Sequence, residues 1–264
     1  MVHALVFDSG VGGLSVATHM RALMPDLHLT YAADDAFRPY GEKSEAALRA
    51  RLPGLLKVLT MASGADIVVL ACNTASTIAL SHIRDVLDIP VVGVVPAIKP
   101  ATLHSKTKTI AVLGTPGTVR QKYVRGLIDT FTAGYEIIVH GSTKLVAQAE
   151  NKLSGLGVDM GVIAHEISPL LAHKNGSEID TIVLACTHFP FLVDELQACV
   201  AHNVSWVDSG AAIAARTKDL TKYMPKESID APRTALLIGG ANTPERSALF
   251  AKFGFEKTVT LPDF

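Results

Sequence analysis

Short apolar runs alternate with longer amphipathic stretches along this chain, the rhythm of strand–helix–strand units in a mostly parallel sheet. The runs predict strands at His3–Phe7, His28–Ala32, Ile67–Ala71, Val91–Val95, Thr109–Leu113, Tyr135–His140, Thr181–Ala185, Ser205–Val207 and Ala235–Ile238. They are rich in Val, Ile and Leu without polar alternation, which fits strands covered on both faces. The stretches between them predict helices over Leu14–Met24, Ser44–Ala62, Thr74–Leu87, Ala97–Leu103, Thr118–Ala133, Thr143–Lys152, Asp159–Leu171, Phe191–Cys199, Gly210–Leu220 and Thr243–Phe253. The expected fold class is α/β.

The pattern is interrupted near Pro96 to Lys108, where a Pro-bounded segment and a Ser/Thr/Lys-rich stretch mark a candidate domain boundary. Each side of it carries a version of one phrase: Val69-Leu-Ala-Cys-Asn-Thr-Ala-Ser76 in the first half, Val183-Leu-Ala-Cys-Thr-His-Phe-Pro190 in the second. Each phrase begins as a buried strand and ends in a cysteine followed by small polar residues. Spaced about one domain apart, they are consistent with a duplication. Two thiols at matching places in similar halves suit taking a proton from one face of a carbon and returning it to the other, which inverts a stereocentre.

Composition narrows the classes. With 264 residues, 48% hydrophobic and 19% charged, the chain has ample length for one large or two medium packed domains and an enzyme-like balance. A formal net charge of -1 with scattered Lys and Arg gives no pull toward nucleic acid or an anionic membrane. The N-terminal residues read as a first strand rather than a signal peptide. No apolar stretch reaches the roughly 18 residues of a membrane span. Three cysteines make no disulfide framework, so the expected location is the cytoplasm, with reduced thiols.

Cys72 and Cys186 each close a predicted strand, the edge at which open α/β sheets bind ligands. The residues after them, Asn73-Thr74 and Thr187-His188, can open helices whose free N–H groups would receive a carboxylate and favour a thiolate. A single cysteine there is more often a small buried hydrophobe, the reading kept for Cys199; the matching phrases favour chemistry for the pair. Asp8-Ser9-Gly10-Val11-Gly12-Gly13 joins the first strand to a helix. Its glycines suit a tight turn or a close ligand approach, and Asp8 at the ligand edge favours the second. Asp34 and the Arg38-Pro39-Tyr40-Gly41 segment follow the second strand. Tyr40 and the Gly41 backbone suit a polar substrate, Asp34 an acid or a supporting partner, and an ordinary Pro-Tyr-Gly turn explains the segment as well. Thr115 and Thr118 offer hydroxyls and N–H groups in the corresponding loop of the second half, with helix capping the competing role of Thr118. His188 can orient a carboxylate or tune the Cys186 thiol. With no C-x-x-C or H-x-x-x-H spacing, a metal site is not expected.

These pieces, in order, are Phe7-Asp-Ser-Gly-Val-Gly-Gly-Leu14, Pro39-Tyr-Gly41, Ala71-Cys-Asn-Thr-Ala75, Gly93-Val-Val-Pro96, Leu113-Gly-Thr-Pro-Gly-Thr118, Ala185-Cys-Thr-His188 and Val207-Asp-Ser-Gly210. Together they resemble, nearly end to end, the glutamate racemases of the cofactor-independent aspartate/glutamate racemase superfamily. The resemblance implies two pseudo-symmetric domains with mostly parallel sheets and an active site in the cleft between them. Residues 1–97 plus 208–264 would form one domain and 98–207 the other. It implies Cys72 and Cys186 as the acid/base thiols, assisted by Asp8 and His188. Asp8-Ser9, Tyr40-Gly41, Asn73-Thr74 and Thr187-His188 would bind the amino acid, with Asp34 and Glu150 as further polar residues at the site.

Where many relatives carry an Ala-Cys-Pro-type segment ahead of the Glu150 helix, this chain has His140-Gly-Ser-Thr-Lys144. Val95-Pro-Ala-Ile-Lys-Pro100 looks like a Gram-negative subgroup in which some members are regulated by a cell-wall precursor. The implied reaction interconverts L- and D-glutamate for peptidoglycan synthesis, with no cofactor, no nucleic-acid or membrane partner, and room for a homodimer. The rivals are a sister activity on aspartate or a hydantoin, and a two-lobed amino-acid-binding protein without catalysis.

Overall fold

The computed structural model describes residues 1–225 and 228–263. The chain begins β1 (His3–Asp8), α1 (Leu14–Leu23), β2 (His28–Ala33), α2 (Glu45–Ser63), β3 (Ile67–Leu70), α3 (Asn73–Arg84) and β4 (Val91–Gly93). It continues with α4 (Ile98–His104), β5 (Thr109–Gly114), α5 (Pro116–Val119), α6 (Lys122–Phe131), β6 (Glu136–Gly141), α7 (Lys144–Leu153) and α8 (Met160–Leu171). Then come β7 (Thr181–Ala185), α9 (Val193–Ala198), β8 (Ser205–Val207), α10 (Gly210–Thr221), β9 (Thr234–Ile238), α11 (Pro244–Lys252) and β10 (Lys257–Leu261).

The chain divides into two compact units, Met1–Val94 with Gly210–Phe264, and Val95–Ser209. Residues 226, 227 and 264 of the expected 208–264 segment lie outside the described residues.

The first unit holds a six-stranded sheet in the order β10-β9-β2-β1-β3-β4, every pairing parallel. β1, β2 and β3 are buried at every position, as continuous apolar runs covered on both faces require. On one face lie Leu48, Leu52, Leu55, Leu56 and Leu59 of α2 with Ile78 and Ile83 of α3. Elsewhere Tyr31, Phe250 and Phe255 form an aromatic cluster with ring centroids 5.5–6.1 Å apart.

The second unit holds a four-stranded parallel sheet, β6-β5-β7-β8. Its core lies under Leu145 of α7, Ile163 and Ile167 of α8, and Phe189 and Leu192. The two sheets share a local plan. In each, the strand that feeds the glycine-containing loop lies beside the strand that feeds the cysteine: Phe7 pairs with Leu70, and Gly114 with Ala185.

Two expected helices need correction, and one strand is additional. The expected helix Thr118–Ala133 is two helices, α5 and α6, because Thr115 caps and Pro116 starts a short first one, and Gln121 then turns extended (φ -64°, ψ 136°). The expected helix Phe191–Cys199 is a 3-10 turn, Phe189–Leu192, followed by α9, which leaves Cys199 just beyond its end. β10 was not expected: its sequence Lys-Thr-Val-Thr-Leu lacks a continuous apolar run because it is the sheet's edge strand, partly exposed along its length. Among the described residues no helix is long and apolar enough to cross a membrane.

Candidate active site

In the first unit, β1 delivers Asp8 to the carboxyl edge of the sheet, where the Ser9–Gly13 loop wraps it. The fully buried carboxylate accepts hydrogen bonds from Ser9 N (2.6 Å), Ser9 Oγ (3.2 Å) and Gly13 N. The Tyr31 hydroxyl braces the same loop, donating to Gly10 O at 2.8 Å. Burial, with Asp8 nearby, raises the Tyr31 phenol well above its usual range, so it stays a donor. A Cβ at Gly13 would stand 2.9 Å from Tyr31 Oη and 3.0 Å from the Cβ atoms of Ala71 and Asp8, so the close packing there needs glycine.

One strand over, Cys72 is the residue that opens α3. Its backbone is extended (φ -132°, ψ 118°) and its carbonyl accepts from Ser76 N at 2.9 Å. The thiol is 3.9 Å from Ser9 Oγ, at a helix N-terminus where backbone dipoles favour negative charge. Asn73 and Thr74 are the buried first residues of that helix.

A second group in this unit gathers Asp34 and Tyr40. Tyr40 begins a 3-10 turn, Tyr40–Glu42, which also carries Gly41. Its hydroxyl donates to Asp34 Oδ2 at 2.5 Å, and Arg51 grips both oxygens of the same carboxylate at 2.7 Å each. Burial, then the Asp34 charge, pushes the Tyr40 phenol well above its usual range. The hydrogen bonds to Asp34 raise the Arg51 guanidinium further, fixing its charge.

In the second unit, β5 ends at Gly114 and Thr115 caps α5. Thr115 Oγ1 accepts from Thr118 N at 3.3 Å and lies 3.0 Å from Thr118 Oγ1. The cap is therefore Thr115, and Thr118 sits fully buried within the helix. Cys186 follows β7 with the same 6% exposure as Cys72. Its carbonyl accepts from Phe189 N at 3.1 Å, opening a 3-10 turn in place of a long helix, with Thr187 buried between. His188 Nδ1 lies 3.8 Å from Cys186 Sγ, while Nε2 lies 3.4 Å from Glu150 Oε1 on α7. The divergent His140–Lys144 segment builds the start of α7: Ser142 Oγ accepts from Leu145 N at 3.1 Å and donates to Glu166 at 2.7 Å.

The structure thus joins Asp8, Ser9 and Cys72 in one group, Asp34 and Tyr40 in a second, Cys186, His188 and Glu150 in a third, and Thr115 with Thr118 in a fourth. Among the described residues no group of three His, Cys, Asp or Glu could hold a metal. The sequence reading missed Arg51 and Tyr31. Arg51 had a visible signal: it stands three residues after Leu48 and four before Leu55, so a charge falls on the apolar stripe of α2. Tyr31 gave none, being one aromatic in an apolar strand.

The Asp/Glu/hydantoin racemase family model matches residues 14–217. The glutamate racemase of Sphingopyxis alaskensis is 46% identical over 258 residues, covering 97% of this chain and 96% of the relative. That of Shewanella woodyi is 48% identical over 218 residues, covering 83% and 80%. Among solved structures, Escherichia coli glutamate racemase in complex with L-glutamate and the activator UDP-MurNAc-Ala superposes with a TM-score of 0.93 at 40% identity, covering 100% of this chain and 99% of that one. A Bacillus anthracis glutamate racemase shares the fold, with a TM-score of 0.83 at 24% identity over 98% and 97% of the two chains. The chain belongs to the Asp/Glu/hydantoin racemase family, a family of isomerases.

Proposed function

We propose that this chain is a glutamate racemase that interconverts L- and D-glutamate with Cys72 and Cys186 as its two acid/base groups. The observation that carries this is the equivalence of the two thiols: each follows the strand next to the glycine-loop strand of its own sheet, and each is nearly buried. Relatives of near-complete mutual coverage that are glutamate racemases support glutamate as the substrate.

In one direction a thiolate removes the α-proton and the other thiol delivers a proton to the opposite face; in the other direction the roles exchange. The α-proton is far less acidic than a thiol, so the carbanion-like transition state needs electrostatic stabilisation. The N–H groups at the start of α3, the Asn73 amide and the hydroxyls of Thr74, Thr115 and Thr187 supply donors for the substrate's carboxylates, with Ser9 and Thr118 held beside them by their bonds to Asp8 and Thr115, and the Tyr40-Gly41 turn adds to them. Asp8 holds the Ser9 loop beside Cys72. His188, backed by Glu150, stands beside Cys186 and assists its proton transfer. The chemistry proceeds with thiols alone and needs no cofactor. A cytoplasmic enzyme of this kind supplies D-glutamate for peptidoglycan synthesis.

The test is enantiomer formation from L-glutamate and L-aspartate separately, read by chiral chromatography. Glutamate should be turned over with a kcat/KM at least about 10-fold higher, since a site fitted to the longer side chain discriminates against the shorter. Equal or faster aspartate turnover would replace glutamate with the sister activity, and binding without turnover of either would leave an amino-acid-binding protein.

A further inference from the structure

Arg51 occupies the core-facing stripe of α2, yet its guanidinium does not reach out to water; the side chain is 13% exposed. Nε and Nη2 hold Asp34 Oδ2 and Oδ1 in a two-bonded fork, and Nη2 also donates to Asp263 Oδ1 at 2.6 Å. The Phe37 ring packs against the guanidinium, 5.1 Å from Cζ to centroid, and meets the Tyr40 ring edge-on at 6.2 Å. Four separate parts of the first unit therefore converge: the segment after β10, helix α2, the loop after β2, and the Tyr40 turn.

The physical logic runs along this chain of contacts. Asp34 is fully buried, and a buried carboxylate needs a countercharge, which Arg51 provides. The two-bonded fork also fixes the plane of the carboxylate, and so the direction in which Oδ2 accepts the Tyr40 proton. With that proton committed to Asp34, the phenol oxygen is left as an acceptor. Asp263, 57% exposed, holds the outer edge of the guanidinium.

We propose that Arg51, fastened by Asp263, is a positioning residue for substrate binding: it orients Asp34 and, through Asp34, the Tyr40-Gly41 turn. The role rests on the glutamate racemase reading and extends it, because it makes a carboxylate near the end of the chain a determinant of substrate affinity. Both act through Asp34, which Arg51 holds directly.

The experiment is steady-state racemisation of glutamate at low ionic strength by Arg51→Lys and Asp263→Ala, each made with Tyr40 intact and in the Tyr40→Phe background. Lysine keeps the charge but loses the fork, so KM should rise about tenfold with kcat within about twofold of the parent; Asp263→Ala should raise KM about threefold. In the Tyr40→Phe background both effects should shrink below about twofold, a coupling that a general loss of stability would not produce. Should Arg51→Lys fail to fold, Asp263→Ala decides alone, since removing an exposed carboxylate leaves the core intact. KM values unchanged by the variants, or raised equally in both backgrounds, overturn the positioning role. A parent enzyme that does not racemise glutamate at all removes the functional reading and this role with it, whereas an active parent with unaffected variants removes this role alone.

Discussion

His188 Nδ1 lies 3.8 Å from Cys186 Sγ, and the opposite ring nitrogen faces Glu150 at 3.4 Å. The imidazole thus connects a nearly buried thiol to a carboxylate that is 26% exposed. Close to the Cys72 thiol stands a hydroxyl, Ser9 Oγ at 3.9 Å. The two thiols share a place in their sheets but not a chemical neighbourhood.

His188→Asn should therefore lower kcat/KM for glutamate by about 10²-fold, the usual worth of a group that assists proton transfer. L- and D-glutamate have equal free energy, so kcat/KM must fall equally in both directions; any asymmetry appears as matched changes of kcat and KM. Glu150→Gln should follow with a smaller loss in the same sense. Initial rates in both directions check this, and a His188→Asn enzyme of parental kcat/KM would detach the imidazole from the chemistry.

Gly13→Ala should destabilise the first unit by about 1–3 kcal/mol, because the added methyl meets Tyr31 Oη, Ala71 and Asp8 at 3.0 Å or less in a packed interior. Tyr31→Phe removes one of those contacts and also the brace on Gly10 O, so it should not rescue the alanine variant. Urea unfolding of the single and double variants reads this directly. Recovery of parental stability in the double variant would mean that the phenol oxygen alone excludes the methyl.

Stability should also depend on His3. Burial, then the neighbouring His28, lowers its imidazole to about 4 from the ordinary 6.5, and His28 is lowered as well, mainly by its own burial. The folded-state value lies below the unfolded one, so between these pH values the unfolded chain binds more protons. Unfolding free energy should then fall as pH drops from about 6.5 to about 4, and His3 should add no further loss below that. His3→Gln should flatten this segment of the curve, measured by urea unfolding at successive pH values. An unchanged slope would place the pH dependence in other groups.

Much of this protein is legible in its sequence because its central strands are buried on both faces, and continuous apolar runs such as Ile67–Leu70 and Thr181–Ala185 show without help from periodicity. β10 was lost for the converse reason: an edge strand half open to solvent carries Lys257, Thr258 and Thr260, which read as loop. The cysteines stood out because the chain repeats their setting. The Asp34–Arg51–Asp263 connection did not, since hydrogen bonds between residues 17 and 212 positions apart leave no local pattern.

The two-thiol mechanism faces its most direct test in heavy water with D-glutamate as substrate, following each enantiomer and its α-hydrogen by mass spectrometry at early times. The L-glutamate formed should carry deuterium at the α-carbon while remaining D-glutamate stays protiated, and Cys72→Ser and Cys186→Ser should each cut L-glutamate formation by about 10³-fold or more. L-glutamate that retains the original proton, or a single-serine variant that racemises at the parental rate, would contradict the assignment of one thiol to each face.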